Sequence, residues 1–255
     1  MKKLYDGLSR KQINANKAMY RCKLKPLYEN SLLSYYWMGF IMSDGNMTKE
    51  GKVQVEIGIK DINHLIKLAN FLNIKVHTRF RKTNYTNDKL VEFCKIKCED
   101  SKYGRLLLKK FHLSYLPKTY HPPNKLDFPN NKYFLAFLIG FIDGDGHIRK
   151  SGNSTCNIKV NVHHSWLKIF EIIKNKLKKI KIMNVTVDLD SHNQTRLVLY
   201  KHQNLLFMKR FALNNHLPLL ERKWDKVDEN HILKKNQFVN ESPYVYPKIW
   251  NALLK

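Results

Sequence analysis

The sequence of 255 residues predicts an α+β protein made of two pseudo-symmetric αββαββα half-units. Three observations carry that prediction. An apolar helical segment ending in an acid and a glycine occurs twice, as YYWMGFIMSDG and FLIGFIDGDG, with Asp145 lying 101 positions after Asp44. Each copy is followed by the same succession of strand-like and helix-like patterns. Between the copies, SYLPKTYHPPNKLDFPNN holds four of the eight prolines, which rules out regular structure there.

Residues 1 to 30 carry eight Lys or Arg against Asp6 and Glu29, show weak hydrophobic periodicity, and read as a basic arm. The first half-unit spans 31 to 113. It opens with SLLSYYWMGFIMS, an apolar helix capped by a serine. In KVQVEIGIK, Val53, Val55, Ile57 and Ile59 alternate with Gln54, Glu56 and Lys60, which is strand spacing. DINHLIKLANFLNI places Ile62, Leu65, Ile66, Ala69 and Leu72 on one helical face. KVHTRFRK turns Val76, Thr78 and Phe80 one way and His77, Arg79 and Arg81 the other. A less regular strand, KLVEFCKIKC, and a helix, SKYGRLLLKKFHL, close the half.

After the proline-rich linker, 114 to 130, the order returns over 131 to 225. The helix NKYFLAFLIGFID leads into strands at GHIRK and CNIKVNV. SWLKIFEIIKNKL, NVTVDLD, TRLVLYK and HQNLLFMKRFALNN complete the copy, and 226 to 255 form a tail. Two half-units in one chain predict a monomer with an internal pseudo-twofold.

Composition narrows the partner. Lys and Arg number 46 against 21 Asp and Glu, giving a formal net charge of +25 and a pI near 9.8, so the field attracts polyanions. The positive residues are spread over strands, helices and linker, not gathered on one amphipathic helix, which disfavours a membrane-surface role. The apolar run from Tyr133 to Ile142 is too short for a bilayer, which needs about 20 residues. No secretory leader is visible, and the four cysteines lack a framework spacing, so the protein reads as intracellular with free thiols. Cys94 and Cys98 have no second ligand pair for zinc and read as packing residues.

Gly39 and Ser43 in one motif, Gly140 and Gly144 in the other, fall four apart on a helical face, where small residues let two backbones approach. Asp44 and Asp145 stand at the negative ends of their helices, an unfavourable place for a carboxylate. If the helices pack side by side, the acids repel each other as well. A divalent cation would relieve both, and few hard oxygen ligands suit Mg²⁺ with water and phosphate completing its shell. An EF-hand is excluded, because counting from Asp143 puts Ile148 where the turn glycine belongs and Ser154 where the bidentate Glu belongs.

WMGFIMSDG, Trp37 to Gly45, and LIGFIDGDG, Leu138 to Gly146, resemble the two LAGLIDADG motifs of a single-chain homing endonuclease, and the resemblance covers about residues 31 to 225. It implies saddle-shaped antiparallel sheets straddling double-stranded DNA, with the motif helices as the central interface. It implies that Asp44 and Asp145 coordinate Mg²⁺ and that Lys118, in LPKT, and Lys223, in LPLLERK, act beside the scissile phosphates, with Arg222 a neighbour able to take the second role. The earlier acid of the motif, mainly structural in the family, is Asp143 in the second half and Met42 in the first. Lys60/Asp61 and His163/His164 are similar to the family's supporting positions at strand-to-helix junctions.

The outward strand faces supply candidate DNA contacts: Gln54, Glu56, His77, Arg79 and Arg81 in the first half, and His147, Arg149, Asn157, Lys159, Asn161 and Arg196 in the second. The expected activity is a staggered double-strand break in a long DNA target by Mg²⁺-dependent phosphodiester hydrolysis. Two other readings share the scaffold: an RNA-binding maturase acting on intron RNA, and a cleavage-inactive DNA-binding regulator. The eleven histidines form no His-Asn-His cluster, which disfavours an HNH nuclease. Richness in Lys, Asn and Ile is a weak pointer to an AT-rich genome, mitochondrial or phage.

Overall fold

The computed structural model describes residues 24–82, 90–114, 116–151 and 155–227. Most of the basic arm, nearly all of the tail and Ser154 lie outside the described residues.

A short helix, α1 (Lys25–Tyr28), precedes α2 (Leu32–Asp44), which starts at a reciprocal cap. Ser34 N–H donates to Ser31 Oγ at 3.0 Å, and Ser31 N–H donates to Ser34 Oγ at 3.1 Å. β1 (Gly45–Met47), β2 (Lys52–Gly58), a 3₁₀ turn (Ile59–Asp61), α3 (Ile62–Leu72), β3 (His77–Lys82), β4 (Leu90–Glu99) and α4 (Ser101–Lys110) complete the first half. The second half follows the same plan. α5 (Asn131–Asp145), capped by Asn130, leads to β5 (Gly146–Ser151), β6 (Thr155–His163), a 3₁₀ turn (His164–Trp166), α6 (Leu167–Lys179), β7 (Val185–Leu189), β8 (Gln194–Leu199), α7 (His202–Asn214) and α8 (Glu221–Trp224).

Each half folds its strands into a four-stranded antiparallel sheet, β1-β2-β4-β3 in the first and β5-β6-β8-β7 in the second. Alternation divides each sheet into a core face and an outer face. Val53, Val55 and Ile57 of β2 and Cys94, Ile96 and Cys98 of β4 are buried, so both cysteines are packing residues. On the other face Gln54 pairs with Lys97 and Glu56 with Lys95.

Two elements depart from the sequence pattern. The alternation in KVQVEIGIK continues to Lys60, but β2 ends at Gly58 and the next three residues turn. β3 is exposed along its whole length, with Phe80 65% exposed, because β3 is the sheet edge.

The centre of the molecule is the α2–α5 pair. Both helices are buried around their full circumference, from Ser34 to Met42 and from Phe134 to Asp143, which is why their apolar residues show no stripe. The backbones meet at glycine. A Cβ on Gly39 would lie 1.9 Å from the Phe137 carbonyl oxygen, and one on Gly140 would lie 1.9 Å from the Tyr36 carbonyl oxygen. The reciprocity is that of a twofold, since Tyr36 and Phe137 are also 101 positions apart. Gly144 belongs to the same contact, because a Cβ there would collide with Ser43 Oγ.

Gly140→Ala should therefore force the helices apart and lower stability by about 3 kcal/mol, the upper range for overpacking. Gly58→Ala is the control: nothing lies within 4 Å of its Cβ position and its φ of −62° suits any residue, so its unfolding midpoint should match or exceed the parent's. Chemical denaturation of both variants checks this.

Candidate active site

The close approach of α2 and α5 brings their C-termini together, and four of the predicted residues converge there. Asp44 ends α2 and Asp145 ends α5, each followed by the glycine that starts the next strand. The Asp44 Cγ is 3.3 Å from the Cβ position of Gly144 on the opposite helix, so the carboxyl lies against the other half. Both acids keep a side open to solvent, yet dense surroundings strip much of their hydration. Burial first, and then repulsion from Asp145, push the Asp44 carboxyl up to about 6. Burial also raises Asp145, against the pull of Lys118 and Lys223.

The two lysines are placed alike. Lys118 Nζ donates to the carbonyls of Met42 and Ser43, and Lys223 Nζ donates to those of Asp143 and Gly144, the latter two at 2.6 Å. Each ammonium thus caps the last turn of its own half's motif helix, where carbonyls lack partners and the dipole is negative. Burial lowers Lys118 to about 8, opposed by the fields of Asp145 and Asp44. Arg222 is engaged elsewhere: it grips Asp61 through Nε at 2.5 Å and Nη2 at 2.6 Å. The Asp61 position is mirrored, 105 residues on, by Trp166, whose indole N–H donates to the Lys118 carbonyl at 3.1 Å. Each half's 3₁₀ turn therefore steadies the lysine-bearing segment of the other half.

Among the described residues no group of three or more His, Cys, Asp or Glu converges on one point. The donor set is two carboxylates in the field of two lysines. Two hard oxygen donors with room for water or phosphate fit a divalent cation of the Mg²⁺ type and do not fit zinc.

Asp143 and Met42 occupy matching places with opposite chemistry. Asp143 is buried and accepts from Tyr36 OH at 2.5 Å, Trp224 Nε1 at 2.6 Å and the Leu220 N–H at 3.1 Å. Tyr36 is in turn 3.2 Å from His64 Nε2, and burial pushes His64 down to about 3, so its ring is neutral. At the same offsets the tyrosine's counterpart is Phe137, on α5, and that of Trp224 is Thr119. Met42 is 2% exposed, so the position of the Asp143 carboxyl is taken in the other half by a buried apolar side chain. Sequence periodicity cannot reveal this network, because Tyr36, His64 and Trp224 are scattered in the chain and each reads as ordinary core.

The eleven candidate DNA contacts lie on the two outer sheet faces. In the first half His77, Arg79 and Arg81 are exposed and Gln54 and Glu56 only partly so; the Glu56 side chain is 11% exposed, with Arg79 at 2.5 Å and Arg81 at 3.1 Å. It orders the two arginines, and Arg81 also lies 4.2 Å over the Phe93 ring. Gln54 and His77 flank Lys97 and Lys95 on the same face. In the second half Arg149 pairs with Asn157, His147 with Lys159, and Asn161 with Arg196, whose Nε donates to Asp188 at 2.6 Å. Among the described residues, no helix is long and apolar enough to cross a membrane.

A duplicated αββαββα unit, joined through glycine-paired helices that each end in an acid beside a capping lysine, defines the LAGLIDADG fold. The resemblance read from the two motifs holds at this level. Solved structures with which the chain shares the fold include the homing endonuclease I-WcaI bound to its DNA recognition sequence. That likeness has 15% identity and a TM-score of 0.57, covering 88% of this chain and 97% of the other. The meganuclease I-SmaMI bound to uncleavable DNA is similar at 15% identity and a TM-score of 0.50, covering 92% and 96%. No protein-family model and no curated protein matches the sequence.

Two outcomes test this site. Met42→Asp should cost about 3 kcal/mol, because Phe137 offers the new carboxyl no donor, and adding Phe137→Tyr should recover part of the loss. A double-mutant cycle measures it. The second concerns pH without divalent cation. Asp44 sits at about 6 in the folded protein, above the ordinary carboxylate range, so the native state holds the proton more tightly than the unfolded chain does. Its contribution is present at low pH and lost as pH rises through about 6. Between pH 7 and pH 5 the melting temperature should rise relative to Asp44→Asn.

Proposed function

We propose that this chain is a site-specific homing endonuclease that makes a staggered double-strand break in a long DNA target by Mg²⁺-dependent phosphodiester hydrolysis. The observation that carries this reading is the duplicated acid and lysine arrangement at the helix junction, flanked by two outer sheet faces rich in Arg, Lys, Asn and Gln. The likeness to endonucleases solved on DNA supports the same reading.

Asp44 and Asp145 would hold the cation. When bound, Mg²⁺ supplies charge stabilisation at the phosphate and an activated water. Lys118 and Lys223, fixed by the helix-end carbonyls, bring positive charge to bear on the negative charge that develops at the scissile phosphates. Glycine packing sets the spacing of the two acids, and through it which phosphate on each strand is engaged. The sheets act as two β-ribbons in the major groove on either side, a groove in which base pairs are distinguishable. Phosphate contacts from the other lysines make binding steeply dependent on salt. Met42 does not favour the cleavage-inactive reading, because it is matched by Phe137 and leaves Asp44 in place.

The test is cleavage of a duplex carrying the uninterrupted form of the sequence that flanks the gene. With Mg²⁺ the protein should cut both strands, while Asp145→Asn should lower the rate at least ~100-fold, in the range of a lost charge-stabilising group, and still bind in Ca²⁺. No cutting by the parent protein across divalent cations and salt would overturn the proposal.

A further inference from the structure

The two halves are most alike at the helix junction and least alike immediately beside it. Gly58 and His163 each end the second strand of their half and precede the 3₁₀ turn, and they lie 105 positions apart, the same offset as Lys118 and Lys223. Around Gly58 nothing approaches within 4 Å of the Cβ position, so the surface there is open. Around His163 the corresponding space is filled. The His163 and His164 rings lie 3.9 Å apart, and Tyr120 stands edge-on to His163 at 4.8 Å with an interplanar angle of 84°.

This stack is built in place. Tyr120 N–H donates to the Pro117 carbonyl at 3.1 Å, closing a tight turn two residues after Lys118. Ser165 Oγ donates to the Thr119 carbonyl at 2.9 Å, and Ser165 N–H to His163 Nδ1 at 3.3 Å, so the turn and the histidines are tied together. Yet Tyr120 remains 59% exposed. His163 also continues the outer-face row of Asn157, Lys159 and Asn161 on β6. The exposed ring thus stands between a candidate reading face and a lysine of the helix junction. The counterpart of Tyr120 at the same offset is Asp225, an acid in place of the ring.

Building on the DNA-cleavage reading, we infer that Tyr120, braced by His163 and His164, is a one-sided wedge acting on the base steps between the two scissile phosphates. Two sites abreast on a helix pair address phosphates across the minor groove, so a ring beside Lys118 meets that groove. Apolar side chains there partly unstack flexible steps, and an exposed aromatic ring on a strongly basic protein suits a duplex. Because the wedge exists on one side only, it makes the protein prefer one deformable step off the centre of its target. Gly58 leaves the mirrored step untouched.

The test works on any target sequence. A randomised duplex library is bound in Ca²⁺ by the parent protein, Tyr120→Ala and Tyr120→Phe, and the retained pools are sequenced. The parent pool should show an off-centre preferred step between two longer flanking preferences. Tyr120→Ala should lose about tenfold of the enrichment at that step, the scale of one stacking contact, while its flanks stay enriched and its melting temperature is unchanged. Tyr120→Phe should behave as the parent. An unchanged central step in Tyr120→Ala, or equal losses at centre and flanks, would overturn the wedge alone. A parent pool with no enrichment anywhere would overturn the DNA-binding reading and the wedge with it.

Discussion

The contact on which the rest of the molecule depends is the reciprocal seating of Gly39 on the Phe137 carbonyl and Gly140 on the Tyr36 carbonyl. No other residue type fits, because a Cβ would enter the partner backbone. At this separation two helices can be apolar on every side, since each is covered by its partner and by its own half's sheet and helices. It also fixes where the helices end relative to each other. Packing alone thus delivers two carboxylates to one place, and the cost of desolvating them, with repulsion from Asp145 added at Asp44, raises their proton affinity.

That cost is moderated by a requirement of helix structure. The last carbonyls of an α-helix lack partners, and at a buried junction water cannot fully supply them. Lys118 and Lys223 answer this need from outside the helices. Because the acids are the last residues of the same helices, a side chain that caps the carbonyls is also placed in the field of both carboxylates. Capping and charge balance are here one constraint, and the capped geometry holds each ammonium beside both carboxylates. The crossed supports, Arg222 on Asp61 and Trp166 on the Lys118 carbonyl, make each lysine's position a property of both halves.

How legible this is in the sequence varies with the physics involved. The two halves, their element order and the helix pair are readable because period-2 and period-3.6 patterns, small residues four apart and terminal acids are all local signals. The lysines are reachable through their matching place after each half's last long helix. Glu56 reads from the sequence as a residue facing DNA, yet alternation cannot distinguish an outward side chain from one gripped by its neighbours, and Arg79 and Arg81 lie on a strand separated from it in the chain. The partners of Asp143 are invisible for the same reason: Tyr36, Trp224 and His64 are each ordinary core residues until tertiary packing joins them to the motif acid. The exposed length of β3 is hidden because edge position is a property of the sheet, not of the strand.

The way the copies differ follows from what each position must satisfy. In the interface Asp143 is accompanied by its donors Tyr36 and Trp224, while Met42 stands at the matching place of Asp143 and Phe137 at that of Tyr36. A buried carboxyl without donors is strongly destabilising, and a buried tyrosine hydroxyl without an acceptor is nearly as unwelcome, so neither member could change alone. Outside the interface the differing groups are exposed ones: Tyr120 meets His163 on one side, where Asp225 and the open face at Gly58 stand on the other. Symmetry is therefore retained where helix packing and capping demand it, at Asp44 with Asp145 and Lys118 with Lys223. It is relaxed on the surfaces beside them, at Gly58 with His163 and at Tyr120 with Asp225.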